Sequence, residues 1–363
     1  MPARTRPTRI NLALQGGGAH GAFTWGVLDR LLEDDRIEIA AISGTSAGAL
    51  NGAAVKSGFA RPGGGPEAAR EVLDWLWTRI GSLDHIPALT PWLSAFPAEA
   101  ISKAIEYSPF FAVSDTLGRM VSPYDSGPFY RNPLTPIVEE LHYDEVCSLD
   151  GPELHVCATN VRTGKVRVFT GDALGPDVLL ASACLPTLFR AVEIHDPDTG
   201  RTEAYWDGGY TGNPALFPLF GQHLPNDVVI VNINPLYREE VPTTARDIQN
   251  RINEISFNSS LLRELRAIQF VKELIAEGKV PAGAMKDVFV HMIAADDLMV
   301  KLSVATKLMP NPAVLAQLKA AGRAAAEAFL DSEAQNLGKG GTVDLPQTFG
   351  GRVRQVFRRR ARA

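Results

Sequence analysis

The sequence predicts a three-layer α/β/α fold with a mainly parallel central sheet and a helical C-terminal extension. Three observations predict it. The chain opens in the order strand, glycine loop, helix, strand, tight turn, helix, which argues for a parallel sheet with helices on its faces. Asp227–Ile233, DVVIVNI, is an apolar run fit for a central strand. From Thr244 to Glu277 apolar residues recur mostly every three or four positions, the period of a long helix.

Each element has its own signal. Ile10–Leu14 is a short apolar run suited to a buried strand, and Ile37–Ile42 reads as a second. Between them Phe23, Val27, Leu28, Leu31 and Leu32 fall at helical spacing. Ser46–Lys56 is a helix rich in Ala and Gly, with Gly58 as its C-cap. Glu67–Ile80 follows as a helix with Val72, Leu73, Leu76 and Ile80 on one side. Residues 81–132 lose periodicity. Their aromatics (Trp92, Phe96, Tyr107, Phe110, Phe111, Tyr124, Phe129 and Tyr130) exceed the chain's 8% average. Pro87, Pro91, Pro97, Pro109, Pro123 and Pro128 keep the segment irregular, so it reads as an insertion over the sheet.

Further on, Leu154–Asn160 and Lys165–Phe169 are strands of a hairpin around Thr163-Gly164. Asp177–Cys184 is a short helix ended by Pro186, and two more strands, Val192–Ile194 and Glu203–Trp206, flank the turn DPDTG. Asp287–Ile293 adds a strand, and Pro312 to about Leu330 forms an Ala-rich helix. The expected organisation is a domain over 8–240, a helical extension with one added strand over 241–345, and a basic tail over 346–363.

Composition sets bounds. The chain has 363 residues, enough for one large α/β domain with an appendage. A formal charge of −5 gives no reason to expect nucleic acid as a partner. Arginines crowd both ends: Arg4, Arg6 and Arg9, then Arg352, Arg354, Arg358, Arg359, Arg360 and Arg362. The tail is expected to be a solvated, frayed end, or else to contact an anionic membrane surface. Cys147, Cys157 and Cys184 share no metal-like spacing and suggest no disulfide framework. No apolar run reaches the roughly 18 residues of a membrane span, and polar residues interrupt any signal-peptide core. The expectation is a cytoplasmic protein, at most peripheral to the inner membrane.

The chemistry begins with Gln15–Gly21, QGGGAHG. Gly16, Gly18 and Gly21 satisfy G-x-G-x-x-G, which suits either a dinucleotide or an oxyanion hole. The next motif decides between them. GTSAG, Gly44–Gly48, is G-x-S-x-G between a strand and a helix, the setting of a nucleophile elbow. Glycines two before and two after Ser46 make room for neighbouring backbone, and the helix N-terminus favours developing negative charge there. A dinucleotide site needs an acid at the end of the second strand, but IEIAAISG ends in Ser43 and Gly44. The glycine loop follows the first strand, so its amides share a sheet edge with Ser46. Gly16, Gly17 and Gly18 can turn those amides inward with no β-carbon in the way. No cofactor is expected, and no metal, since no recognisable loop carries Ca²⁺ ligands.

A serine nucleophile needs a base. The seven histidines, among them His20 in the loop, lack motifs around them. His223 or His291 would suit a Ser…Asp…His order. Asp207 is the other candidate. It lies in YWDGGYTGNPAL, where Gly208 and Gly209 let another backbone come close, although Asp-Gly is also an ordinary turn.

Taken together, GGGAHG, GTSAG and DGG resemble the oxyanion loop, the nucleophile elbow and the aspartate block of the patatin-like phospholipase family. ASACLPTLF, Ala181–Phe189, is similar to the family's Ser- and Pro-containing block between elbow and DGG. The resemblance covers about Ile10–Pro214 and leaves the insertion largely unmatched. The region from the long helix onward looks like an extension of some bacterial members. It implies a Ser46–Asp207 dyad with no catalytic histidine, and oxyanion amides from Gly17, Gly18 and Ala19. Where the family usually has Arg or Lys, this chain has His20. The implied activity is lipid acyl-ester hydrolysis, with the aromatic insertion offering apolar walls to an acyl chain. A storage polyester or small soluble ester is the alternative substrate, and a binding module on an inactive hydrolase fold the alternative role. The long helix is expected to pack in the core or in a homo-oligomer contact.

Overall fold

The computed structural model describes residues 6–83, 93, 95–109, 111, 121–281 and 283–349. The arginines of the tail, His85, Trp92 and Phe110 lie outside the described residues.

Strands β1 (Thr8–Leu14), β2 (Ile37–Thr45), β3 (Glu153–Asn160), β4 (Val166–Thr170), β5 (Val192–Asp196), β6 (Arg201–Asp207), β7 (Asp227–Asn232) and β8 (Phe289–Ala294) form one eight-stranded sheet. Its order is β5-β6-β3-β2-β1-β7-β8, with β4 paired to β3 off this path. The β1–β2, β2–β3, β1–β7 and β7–β8 pairs are parallel, while β4, β5 and β6 run antiparallel to their partners. The helices are α1 (Ala22–Leu31), α2 (Ala47–Ala60), α3 (Pro66–Gly81), α4 (Ala98–Glu106), α5 (Thr135–Glu139) and α6 (Tyr143–Val146). They continue as α7 (Pro176–Ser182), α8 (Ala245–Ala276), α9 (Asp296–Met299), α10 (Val304–Leu308), α11 (Pro312–Ser332) and α12 (Leu345–Phe349).

The period of two along each strand separates two cores. On β1, Ile10, Leu12 and Leu14 join Phe23 and Val27 of α1, Leu50 of α2, Leu76 and Trp77 of α3 and Leu318 of α11. On the other face, Ala13 of β1 joins Val228 and Ile230 of β7, Leu216, Leu219 and Leu261, Leu265 and Ile268 of α8. Helices therefore cover both faces, as a buried parallel sheet requires. Residues 241–345 complete this same sheet: β8 extends it, α11 lies on α1, and α8 closes the second face.

Two expectations are corrected. The segment 81–132 is not wholly irregular, since α4 forms with Ala98, Ile101 and Ser102 buried. The apolar residues of the long helix do not form one core face. Leu265 and Ile268 are buried, but Ile248, Ile252 and Ile255 are 42%, 53% and 55% exposed. In that first half the inward face is Asn250, Glu254 and Asn258. Arg238 and Arg251 bind the Glu254 carboxylate there, so ion pairs and amides fill the place that isoleucines would take.

Candidate active site

Strand pairing brings the two halves of the site together. β3 pairs with β2 up to Thr45↔Cys157. The next residue of β3, Ala158, pairs with Asp207 of β6 and also with Arg167 of β4. A strand has two edges, and β4 occupies one of them. β6 must therefore continue the edge that β2 leaves at Thr45. Asp207, the last residue of β6, arrives where the chain turns off β2 at Ser46. Thr159 Oγ1 donates to the Asp207 carbonyl at 2.8 Å, and the Asp207 amide donates to the Cys184 carbonyl at 2.8 Å, which fixes the aspartate's backbone on both sides.

Ser46 stands at the N-terminus of α2 with φ 54° and ψ −123°. It is the sole non-glycine residue at positive φ among the described residues, a conformation that costs on the order of 1–3 kcal/mol. The surroundings hold it there. Its amide donates to Ser182 Oγ at 2.9 Å, and that hydroxyl donates to the Cys157 carbonyl at 2.6 Å. Thr45 Oγ1 donates to the Gly212 carbonyl at 2.6 Å. Gly44 and Gly48 flank the turn in direct backbone contact, for a β-carbon on Gly44 would lie 2.6 Å from the Gly48 carbonyl oxygen. A β-carbon on Gly48 would strike the Leu14 carbonyl. The Ser46 side chain caps no backbone amide of α2.

The Asp207 carboxyl is buried, and burial pushes its pKa up to about 7. Burial prevails there over the Gly209 amide, which donates to Oδ1 at 2.7 Å, and the Ser46 hydroxyl, which both act to lower it. Both favour the charged form, as hydrogen-bond donors to a carboxylate do.

The glycine loop closes the third side. A β-carbon on Gly16 would lie 2.6 Å from Ser46 Cβ, so only glycine lets the loop reach the serine. The Gly16 amide donates to Asn213 Oδ1 at 2.7 Å, which occupies it. Gly17 precedes a short 3₁₀ turn, Gly18–Gly21, that contains Ala19. Amides at the start of such a turn have no partner within it. Of the loop amides, those of Gly17, Gly18 and Ala19 can thus face a ligand, while Gly16 orients the loop. Ile233 lies against Gly17, and the Phe257 ring lies beside Gly209 and edge-on to Tyr210, giving the site apolar neighbours.

Several supporting residues carry no motif. Gln15, fully buried, accepts from the Ile233 and Asn234 amides at 2.9 and 3.0 Å and donates to Asn258 Oδ1 at 3.2 Å. Asn234 Nδ2 donates to the Gly16 carbonyl at 2.7 Å. Asn213 and Ser182 lie inside the segments already noted around DGG and ASACLP, and a search for buried hydroxyls and amides there would have found them. Asn234 and Asn258 leave no comparable trace.

The histidines lie elsewhere. His223 is exposed and bonds Glu153 at the start of β3, the end away from Ala158 and its partner Asp207. His291 bonds Asp227 and Thr342 on the far side of β1 and β7 from β2. His20 is buried with its Nε2 2.9 Å from Thr306 Oγ1, and burial holds its pKa well below the usual value, so the ring is neutral. Among the described residues no cluster of acids, histidines and cysteines could hold a metal ion, and no helix is long and apolar enough to cross a membrane. The three cysteines are free thiols.

Fold and site define a class: an α/β protein with a serine on a strained strand-to-helix turn, facing a buried carboxyl and a glycine loop. A family model described as patatin-like phospholipase matches residues 12–220. The chain belongs to that family. No match was found among curated proteins. Among solved structures the chain is similar to VipD from Legionella pneumophila, at 15% identity and TM-score 0.41, over 90% of this chain and 67% of that one. It is also similar to the type III effector protein ExoU, at 14% identity and TM-score 0.31, over 90% of this chain and 53% of that one. A third match is the ExoU–SpcU complex from the type III secretion system of Pseudomonas aeruginosa, at 18% identity and TM-score 0.26, over 98% and 66% of the two chains. The chain thus spans between 53% and 67% of the length of those matched chains.

Proposed function

We propose that this chain is a serine acyl-ester hydrolase, working on lipid esters through a Ser46–Asp207 dyad. The observation that carries the reading is the delivery of Asp207 by β6 onto the edge that β2 vacates, with its carboxyl raised to about 7. A carboxylate of ordinary acidity is a poor base for a hydroxyl. One near the working pH is matched to the task.

In this reading Ser46 Oγ attacks the ester carbonyl and its proton passes to Asp207. The oxyanion sits among the amides of Gly17, Gly18 and Ala19, at the positive end of α2. Such donors are worth roughly 3–4 kcal/mol each in other enzymes. Collapse of the tetrahedral species expels the alcohol, which takes the proton from Asp207. Water then gives a proton to Asp207 and attacks the acyl-serine. The second collapse releases the acid and returns the proton to Ser46. Residues 8–240 carry these groups, and 241–345 build the wall behind the loop. The apolar neighbours Ile233, Phe257 and Tyr210 suit an acyl chain.

The test is a panel of esters of increasing chain length, soluble and in phospholipid micelles, with Ser46→Ala as control. The reading expects turnover that grows on long-chain lipid esters and vanishes in the variant. Preference for short soluble esters would move the substrate away from lipid, and turnover that survives Ser46→Ala would remove the nucleophile.

A further inference from the structure

The glycine loop is braced from outside the family-matched segment, by residues 303–307. Gly18 has φ 58°, and the Cβ position it leaves empty faces the Lys307 carbonyl oxygen, with which a side chain there would collide. Two residues along the loop, His20 meets Thr306. The Thr306 hydroxyl donates to the Ser303 carbonyl at 3.0 Å. Its oxygen is thereby left to accept, so His20 Nε2 carries the hydrogen and donates to it at 2.9 Å. His20 Nδ1 is then a bare, buried atom with no hydrogen-bond partner. The imidazole is held at one end only, and Thr306 is what holds it.

The chain of hydroxyls goes further. Ser102 of α4, fully buried, accepts from the Ser303 amide at 2.9 Å and donates to Ser303 Oγ at 3.0 Å. Its oxygen lies 3.4 Å from Thr306 Oγ1. The insertion, the extension and the glycine loop thus meet in one string of polar contacts, Ser102, Ser303, Thr306 and His20, buried at all but Ser303. Lys307 adds a second brace. Its ammonium donates to Asn234 Oδ1 at 3.3 Å, and Asn234 holds the Gly16 carbonyl.

We propose that Thr306 is a positioning residue for the oxyanion loop, coupling the placement of α4 and α10 to the orientation of the Gly17, Gly18 and Ala19 amides through His20. The proposal rests on the hydrolase reading for its catalytic consequence, but the coupling itself is a property of the loop. A displaced loop leaves Ser46 and Asp207 in place, because their supports come from β3, β6 and Ser182. It should therefore cost transition-state stabilisation more than substrate binding.

The test compares wild type, Thr306→Val and Thr306→Ser. Hydrogen exchange of the peptide spanning 14–22 reads the loop. Turnover of a soluble ester, with the affinity for a trifluoromethyl ketone analogue, reads the oxyanion site. Thr306→Val keeps the side chain's shape and removes the hydroxyl. It is expected to speed exchange in the loop and lower kcat about ten- to a hundredfold, with KM within about twofold. Ketone affinity should fall with kcat/KM, and Thr306→Ser should restore all three. Wild-type exchange in Thr306→Val would overturn the proposal, as would a loss that Thr306→Ser fails to restore. Faster loop exchange in a protein whose wild type hydrolyses no ester would uphold the coupling and reject the hydrolase reading. If Thr306→Val does not fold, Ser102→Ala breaks the same string from its other end, and an unchanged loop there would overturn the proposal.

Discussion

The Ser46 turn and the glycine loop face one another across the site, yet they are held in different ways. Ser46 is fixed by near neighbours within the family-matched segment: Ser182, the Cys157 carbonyl, and Gly44 against Gly48. The glycine loop is fixed largely by residues beyond it: Asn234, Asn258, Thr306 and Lys307. The first region stores strain at one residue and surrounds it with short hydrogen bonds. The second has pliable glycines and relies on distant side chains to stiffen them. The geometry of the Ser46 turn is thus set inside residues 12–220, and that of the glycine loop in large part by what is attached to them.

Changes at the nucleophile side should have the largest effects. Ser46→Ala and Asp207→Asn are each expected to lower kcat/KM by about a thousandfold or more, with folded protein retained by circular dichroism. Activity in Asp207→Asn within about tenfold of wild type would detach the carboxyl from the chemistry. The pH profile sharpens this. Wild-type kcat/KM should rise through an apparent pKa of about 7 as Asp207 loses its proton.

Stability should carry the opposite sign. The folded carboxyl holds its proton up to about 7, against 3.8 for the unfolded chain. Folding therefore takes up a proton between those values, and the Asp207 contribution turns unfavourable as pH climbs through that window. Asp207→Asn should melt higher than wild type at pH 8 and lose that advantage near pH 4. A lower melting temperature at pH 8 would show that the ionised form has stabilising partners.

Smaller effects test the supports. Ser182→Ala leaves the Ser46 amide and the Cys157 carbonyl unpaired in a buried site, and should cost about 1–3 kcal/mol in denaturant unfolding along with part of kcat. Ser46→Gly relieves the positive φ, so it should be more stable than Ser46→Ala by about 1 kcal/mol, though equally inactive. Equal stabilities would mean that the turn is unstrained. His223→Ala and His291→Ala should leave turnover within about twofold of wild type, and a large loss at either would restore a histidine base.

The same contrast decides what was legible in the sequence. The elbow was, because its chemistry lies in one contiguous stretch: an apolar strand, GTSAG, then a helix rich in Ala and Gly. The Thr163-Gly164 hairpin and the DPDTG turn also announce themselves, and Gly164 and Gly200 sit at φ 64° and 65°. Hydrophobic periodicity could not say that β6 would continue the β2 edge, because edge choice depends on pairing and not on pattern. It also could not say that Ile248, Ile252 and Ile255 would lie outside the core. Their helix turns Asn250, Glu254 and Asn258 inward because Arg238, Arg251 and Gln15 wait there as partners. Polar residues buried by long-range partners carry no period, so Asn234, Asn258 and Thr306 were invisible until the chain was folded.

The central claim is that Ser46 is a nucleophile whose proton goes to Asp207. Fluorophosphonate labelling of folded protein, followed by peptide mass spectrometry, tests it most directly. The account predicts one adduct, on Ser46, forming at a rate that rises with pH through about 7 and falls steeply in Asp207→Asn. Absence of that adduct in folded wild type, or labelling at an unchanged rate in Asp207→Asn, would contradict it.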